Sequence, residues 1–452
     1  MEVGGPLPLL HSLWDRLFQL ATRREVVISS IVGICGLGLF WGTRRLVALN
    51  RFETQLLKQH GTHRSSSQNL MFLGESTYIQ NLSSFMDIDP YRVRVFYAPH
   101  SLVSILPKPI PLIVFIHGLG GRVNQFEPLL KYFGQVADVM AVDLPGCGQS
   151  PLTDRRWDLY TTDALVKLVL RVIDEKCPNR NVILVGHSLG TLIAGRLALN
   201  LRDRCVAVVL LCAKAGISEE EKKGIQLISR LPEFVFNIFR KRDRMYGFNL
   251  QPIDGSGGIK SHSVRRMVGP NVSEDIRIQQ LVWNLQSQTP TILRMLWGAK
   301  PMTREEWKDV VAPTLVIAGE EVCSANTVWL TSQDKVCPPT DGERIRTWLS
   351  ASNTPDMFIV PYAGHAIMIE APEIVCDVMN DFLVQLEPHL SHAWQLSYSA
   401  TDKWSLKNEE KVRALPYKSN YQWKNVKNVS ELIGTSPLRA MKAITPVIHD
   451  SL

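Results

Sequence analysis

An α/β fold, a mostly parallel sheet covered by helices on both faces, is predicted by three observations. Short continuous apolar runs of strand length recur along the middle of the chain, and stretches of helical periodicity separate them. One of these runs ends in Gly186-His187-Ser188-Leu189-Gly190, directly ahead of a helical stretch. Strands that read as unbroken apolar runs are sealed on both faces, which is what crossover helices do to a parallel sheet.

The strands follow in order. Pro111-Leu112-Ile113-Val114-Phe115-Ile116 leads into His117-Gly118-Leu119-Gly120-Gly121. Val139-Met140-Ala141-Val142 leads into Asp143-Leu144-Pro145-Gly146-Cys147-Gly148-Gln149-Ser150. A helix over 161–175 precedes Val182-Ile183-Leu184-Val185, and a second over 191–200 follows the Gly-x-Ser-x-Gly turn. Further strands read as 207–211, 314–318 and 357–360. The hundred or so residues between the first two of these are expected to form a helical cap, about 214–310, in a domain spanning 66–387.

Composition narrows the function. The chain has 452 residues, 45% of them hydrophobic, enough to fill a large core and to exclude disorder throughout. Its net charge of +7 is unevenly placed: residues 1–65 carry 8 basic and 4 acidic side chains, and 388–452 carry 9 and 5. That leaves 33 and 34 in the middle, so the core has no basic surplus to track a nucleic-acid backbone, and no nucleic-acid partner is expected. The eight cysteines form no CxxC pattern and several sit in apolar runs, which suits reduced intracellular thiols.

The first 65 residues read as a membrane attachment. Residues 26–43 are free of charge over eighteen positions and are bracketed by Arg23-Arg24 and Arg44-Arg45. That length reaches the lower edge of a single bilayer span; the plainer alternative is a buried helix. Ahead of it, Leu9, Leu10, Leu13, Trp14, Leu17, Phe18 and Ala21 recur at helical spacing, as in a helix lying in the headgroup layer or docked on the protein itself. The basic residues that follow the span outnumber those before it, so the large domain is expected on the cytosolic side, with a mitochondrial membrane as one possible host. Residues 388–452 are a basic extension without sustained periodicity.

Gly186-x-Ser188-x-Gly190 carries the chemical argument. A serine raised on a strand-to-helix turn needs strained backbone angles, and small residues two positions before and after relieve the crowding. Together with the His-Gly turn at 117–118, the Asp-x-x-Gly-x-Gly-x-Ser run at 143–150 and Gly364-His365 after the last strand, this pattern resembles the α/β-hydrolase superfamily from about Arg92 to Glu387. The similarity is to lipase-like, esterase-like and lysophospholipase-like members. It implies a Ser-His-Asp triad without cofactor or metal. Ser188 is the expected nucleophile and needs a base within reach. Of eleven histidines His365, in a loop just past a strand, is the best candidate, while His187 reads as structural or pocket-lining. The resemblance also implies an oxyanion hole from the backbone amides of Leu119 and Leu189.

The acid departs from the superfamily pattern. Gly319-Glu320 is followed by about a dozen extra residues before Asp334-Lys335-Val336-Cys337-Pro338, and removing them restores the usual Gly-x-x-Asp run. Asp334 is the expected orienting acid and Glu320 the fallback. The insertion reads in three ways: it displaces the acid, it loops outward, or it is retained untranslated sequence. In the cap, Phe234, Phe236, Phe239, Trp283, Trp297 and Trp307 occur with Arg240, Arg242, Arg244, Arg265, Arg266 and Arg294. Such a mixture suits a lipid-like acyl substrate or a membrane surface; equally, the aromatics pack on the core and the arginines face water. The expected function is a membrane-anchored serine hydrolase of a carboxylic, lipid-type ester. Acyl transfer to a lysophospholipid and a non-catalytic lipid-binding scaffold are the rivals; the His-x4-Glu spacing of His365 and Glu370 adds little to the first, since acyltransferase-like relatives carry His-x4-Asp and ordinary hydrolases also have an acidic residue there.

Overall fold

The computed structural model describes residues 75–394 other than 101–105, 107–108, 247–260, 270–271, 321–336, 351–356 and 361–362. Eight strands form one sheet: β1 (Ser83–Ile88), β2 (Tyr91–Ala98), β3 (Leu112–Ile116), β4 (Val139–Val142), β5 (Val182–His187), β6 (Cys205–Leu211), β7 (Thr314–Gly319) and β8 (Met357–Val360). They lie in the order β1-β2-β4-β3-β5-β6-β7-β8. Strands β3 to β8 pair in parallel, as their apolar runs predict, and every residue of β3 and β5 is buried.

The antiparallel edge pair β1 and β2 is an addition to the expected strands. β1 is a half-exposed edge whose Phe85 lies open, so it lacks the apolar run that marks the others. In β2 the charged Arg94 interrupts the apolar residues, yet it is buried because it has partners. Its Nε lies 2.8 Å from Asp143 Oδ2 and its Nη1 pairs with Glu75.

Asp143 is the hub of this corner. Its carboxylate accepts the amides of Val123 at 2.7 Å and Gln149 at 2.9 Å, and its carbonyl accepts Ser150 Oγ at 2.6 Å. Ser150 Oγ in turn accepts the Arg94 amide at 2.8 Å. The Asp143–Ser150 run is thus a polar clamp that ties the loop after β4 to β2 and to the turn after β3.

Helices cover both faces: α1 (Thr77–Asn81), α2 (Glu127–Phe133), α3 (Thr162–Lys176) and α4 (Leu189–Leu201) precede the cap. α3 starts at the Thr161 cap, whose hydroxyl accepts the Ala164 amide, and buries Leu165, Val166, Val169, Val172 and Ile173. α4 is buried almost all round, as a helix wedged between sheet and cap must be.

Between β6 and β7 the cap contributes α5 (Glu219–Arg230), α6 (Glu233–Tyr246), α7 (His262–Met267), α8 (Glu274–Gln286), α9 (Thr289–Gly298) and α10 (Arg304–Lys308). Trp307 and Trp283 are buried, the former against Gly195 of α4, while Trp297 is half exposed. The arginines divide. Arg242, Arg265 and Arg266 face water, but Arg294 is buried, pairs with Glu233 at 2.7 Å and lies over the Trp157 ring at 4.9 Å.

After β7 come α11 (Pro339–Trp348), α12 (Ile367–Glu370) and α13 (Pro372–Leu386). The packed chain continues past the expected boundary at 387. Residues 388–394 are helical, Leu390, Ala393 and Trp394 are buried, and Trp394 Nε1 donates to Asn380 Oδ1 at 2.6 Å. The apolar segment 26–43, the rest of 1–65 and the tail from 395 lie outside the described residues. Among the described residues no helix is long and apolar enough to cross a membrane.

Removing one partner of a buried ion pair strands the other charge at a penalty of about 3–5 kcal/mol. Asp143→Ala is therefore expected to lower unfolding free energy by about that amount, which equilibrium denaturation measures; a loss under 1 kcal/mol would refute the clamp.

Candidate active site

The turn between β5 and α4 holds Ser188 at φ 53° and ψ −120°, a conformation that strains a residue bearing a side chain. Two close approaches hold it there. A Cβ on Gly190 would lie 2.1 Å from Ile116 O of β3, and one on Gly186 would lie 2.5 Å from Gly190 O. Any larger residue at either position would push strand and helix apart. Hydrogen bonds secure the rest: the Ser188 amide donates to Leu211 O at 3.0 Å, and Ser188 O accepts Thr191 Oγ1 at 2.6 Å.

The turn after β3 lies against this elbow. A Cβ on Gly118 would come within 2.8 Å of Ser188 Cβ and 3.3 Å of its Oγ, so glycine lets the two segments touch. His117 is buried beneath the turn. Its Nε2 accepts the Leu144 amide at 2.9 Å, so Nδ1 carries the proton and donates to Gly118 O at 2.7 Å. Gly118 O also accepts the Gly121 amide at 3.0 Å, closing a turn with Leu119 at its second position. Leu189 opens α4, where no carbonyl within the helix faces its amide. The two amides expected at an oxyanion hole thus stand immediately after Ser188 and immediately after the glycine that touches it.

His365 is buried in the loop after β8, which Glu370 organises. One Glu370 oxygen accepts the amides of Gly364 and of the cap residue Gly269, both at 2.8 Å, and the other accepts that of Ala366 at 3.1 Å. From the elbow, His187 Nε2 donates to His365 O at 2.8 Å, and the two rings are 4.7 Å apart. His187 thereby pins the loop that bears His365. Burial is the main reason both imidazoles resist protonation. The His365 pKa falls from 6.5 to about 4, helped by the charges of Arg266 and Lys214, and that of His187 falls well below its usual value, helped by His365.

Asp334 and the insertion before it lie outside the described residues. Glu320 directly follows β7, its amide donating to Val360 O at 2.9 Å. One neighbour was not foreseen: Cys337 Sγ lies 3.8 Å from Ser188 Oγ, across 149 positions of sequence. Only its place three residues beyond the acid could have signalled it. His187, Cys212 and His365 each offer a ligand atom within 4.8 Å of the others. Two bonds of about 2.0–2.3 Å barely span such a separation, so these side chains would have to draw together to share an ion.

The unfolded chain takes up a proton on His365 near pH 6.5, whereas the folded chain refuses it until about pH 4. Between those values the unfolded state binds more protons, so stability falls as pH falls. Denaturant titrations are expected to show a loss from this histidine of roughly 3 kcal/mol between pH 6.5 and 4, which His365→Gln removes; an unchanged pH slope in that variant would contradict the burial argument.

Known proteins bear on this arrangement. Residues 113–378 match the model of the alpha/beta hydrolase family. The chain is 28% identical over 319 residues to abhydrolase domain-containing protein C57A10.08c of Schizosaccharomyces pombe, covering 67% of this chain and 84% of that one. It is 24% identical over 304 residues to lipid droplet hydrolase 1 of Saccharomyces cerevisiae, covering 59% and 74%. Among solved structures, a lipase from Acinetobacter baumannii superposes with a TM-score of 0.50 at 18% identity, covering 72% of this chain and 98% of that one, a likeness of fold. With its parallel sheet, its serine elbow and a family match over more than half its length, this chain belongs to the alpha/beta hydrolase family.

Proposed function

We propose that this protein is a membrane-anchored serine hydrolase that cleaves a carboxylic ester of a lipid through an acyl-enzyme on Ser188. The observation that carries the reading is the strained, nearly buried serine wedged between the turn after β3 and the start of α4. Such strain persists where the surrounding structure imposes it, and it is the kind of strain that accompanies a functional side chain. The names of the yeast relatives support hydrolysis, and that of the lipid droplet hydrolase supports a lipid substrate.

In this scheme Ser188 Oγ attacks the ester carbonyl while His365 takes its proton, and the Leu119 and Leu189 amides receive the oxyanion. Collapse of the tetrahedral intermediate expels the alcohol, which takes the proton from His365. Water then repeats the sequence on the acyl-enzyme: it gives a proton to His365, releases the acid and returns Ser188. Asp334 orients His365 and stabilises the transient imidazolium. The low proton affinity of His365 keeps it in its base form at neutral pH. Glu370 is engaged with three backbone amides, so the His-x4-Glu spacing has a structural use and favours no transferase reading.

A fluorophosphonate probe is expected to label the full chain and to lose that label in Ser188→Ala. Asp334→Ala should slow labelling by about 10³-fold or more while Glu320→Ala leaves it within a few-fold; the reverse ranking would move the acid to Glu320. The anchor is tested separately. The full chain is expected to stay with membranes after alkaline carbonate extraction, and replacement of Ile31, Val32, Leu37 and Leu39 by Asp should release it. Release of the unaltered chain by carbonate would remove the transmembrane assignment.

A further inference from the structure

Helix α6 is built inside out. At about 100° per residue, Glu233, Asn237 and Arg240 share one side, and Phe234, Ile238, Phe239 and Arg242 share the other. The polar side faces the protein. Glu233 pairs with Arg294 at 2.7 Å, Asn237 Oδ1 accepts Thr289 Oγ1 at 3.0 Å, and Arg240 donates to Ser287 O at 3.0 Å and Asn284 O at 3.1 Å. The apolar side faces outward: Phe234 is 66%, Phe239 58% and Ile238 37% exposed. A helix on a globular surface ordinarily buries its apolar stripe and wets the polar one. The reversal gains nothing for the fold, because burial of each phenylalanine would be favourable.

Charge identifies the occupant. Between 226 and 243 the chain carries Arg230, Arg240, Lys241 and Arg242 against Glu233 and Asp243; Arg240 and Glu233 turn inward, and Asp243 accepts the hydroxyls of Ser261 and Ser263. Arg230 and Arg242 are exposed, and Leu227 on the neighbouring α5 is 66% exposed. We infer that this face of the cap docks on an anionic lipid bilayer, with Phe234, Ile238 and Phe239 in the headgroup layer and the exposed Arg230 and Arg242 directed at lipid phosphates. A second copy of the chain would bring the same positive sign against itself, which the basic residues oppose. The docked helix is tied to the site: Ser287, which accepts from Arg240, donates its hydroxyl to Gly120 O at 2.9 Å in the turn beside Ser188. Docking would set that end of the cap at the lipid surface, independently of any span in 26–43.

Site-specific photocrosslinking tests this on the full chain. Phe239→p-benzoylphenylalanine is irradiated with vesicles of phosphatidylcholine and phosphatidylserine, and Phe85→p-benzoylphenylalanine, on the exposed edge strand β1, serves as the reference. The expected result is a lipid adduct at 239 about tenfold above that at 85. Arg230→Gln should reduce the adduct about fivefold, and vesicles of phosphatidylcholine alone should reduce it further. Equal lipid yields at the two positions overturn the inference, as do adducts from 239 to another segment of this chain or to a second copy. The readout needs no turnover, so fluorophosphonate labelling of the same preparation reports separately on Ser188.

Discussion

The contact on which the site depends is the approach of three backbones with no side chain between them. Gly190 meets the end of β3, Gly186 meets Gly190, and Gly118 meets Ser188. Closing those gaps forces Ser188 into positive φ and carries its hydroxyl to the carboxyl ends of the parallel strands. Ligands of open parallel sheets gather at that end because the loops there are free to vary while the strands stay rigid. The strain of about 1–3 kcal/mol is offset by the buried β3, β5 and α4, so it persists without disturbing the fold.

Around this contact the buried polar groups hold position. Asp143 and Arg94 tie the loop after β4 to the edge hairpin, His117 ties that loop to the turn after β3, and Glu370 ties the His365 loop to the cap. Each is a long-range connection made by a buried side chain, to another charge in the case of Asp143 and to backbone amides in those of His117 and Glu370. That arrangement explains why acidic and histidine residues recur beside the site without all being reagents.

The cap follows a different logic. Its inner surface is fastened by polar contacts from Arg240, Asn237 and Arg294, and its outer surface exposes phenylalanines. The expectation that aromatics pack inward and arginines point to water holds for Trp307, Trp283, Arg242, Arg265 and Arg266. It fails for Phe234, Phe239 and Arg240 of α6, where the hydrophobic pattern alone suggests the opposite orientation. Periodicity reveals that a helix has two faces; the neighbours decide which one is buried.

The local demands of the fold were legible in the sequence. Strands sealed on both faces must be continuously apolar, and a serine on a tight strand-to-helix turn must be flanked by small residues, so the parallel sheet and the Ser188 elbow could be read directly. The edge hairpin was not, because a half-exposed edge strand needs no apolar run and Arg94 looks like a surface residue until Asp143 and Glu75 are placed beside it. Only the tertiary structure decided that Cys337 touches Ser188, that His187 pins the His365 loop and that α6 turns Phe234 and Phe239 outward. Those facts depend on contacts between residues far apart in the chain, and sequence spacing carries no record of such distances.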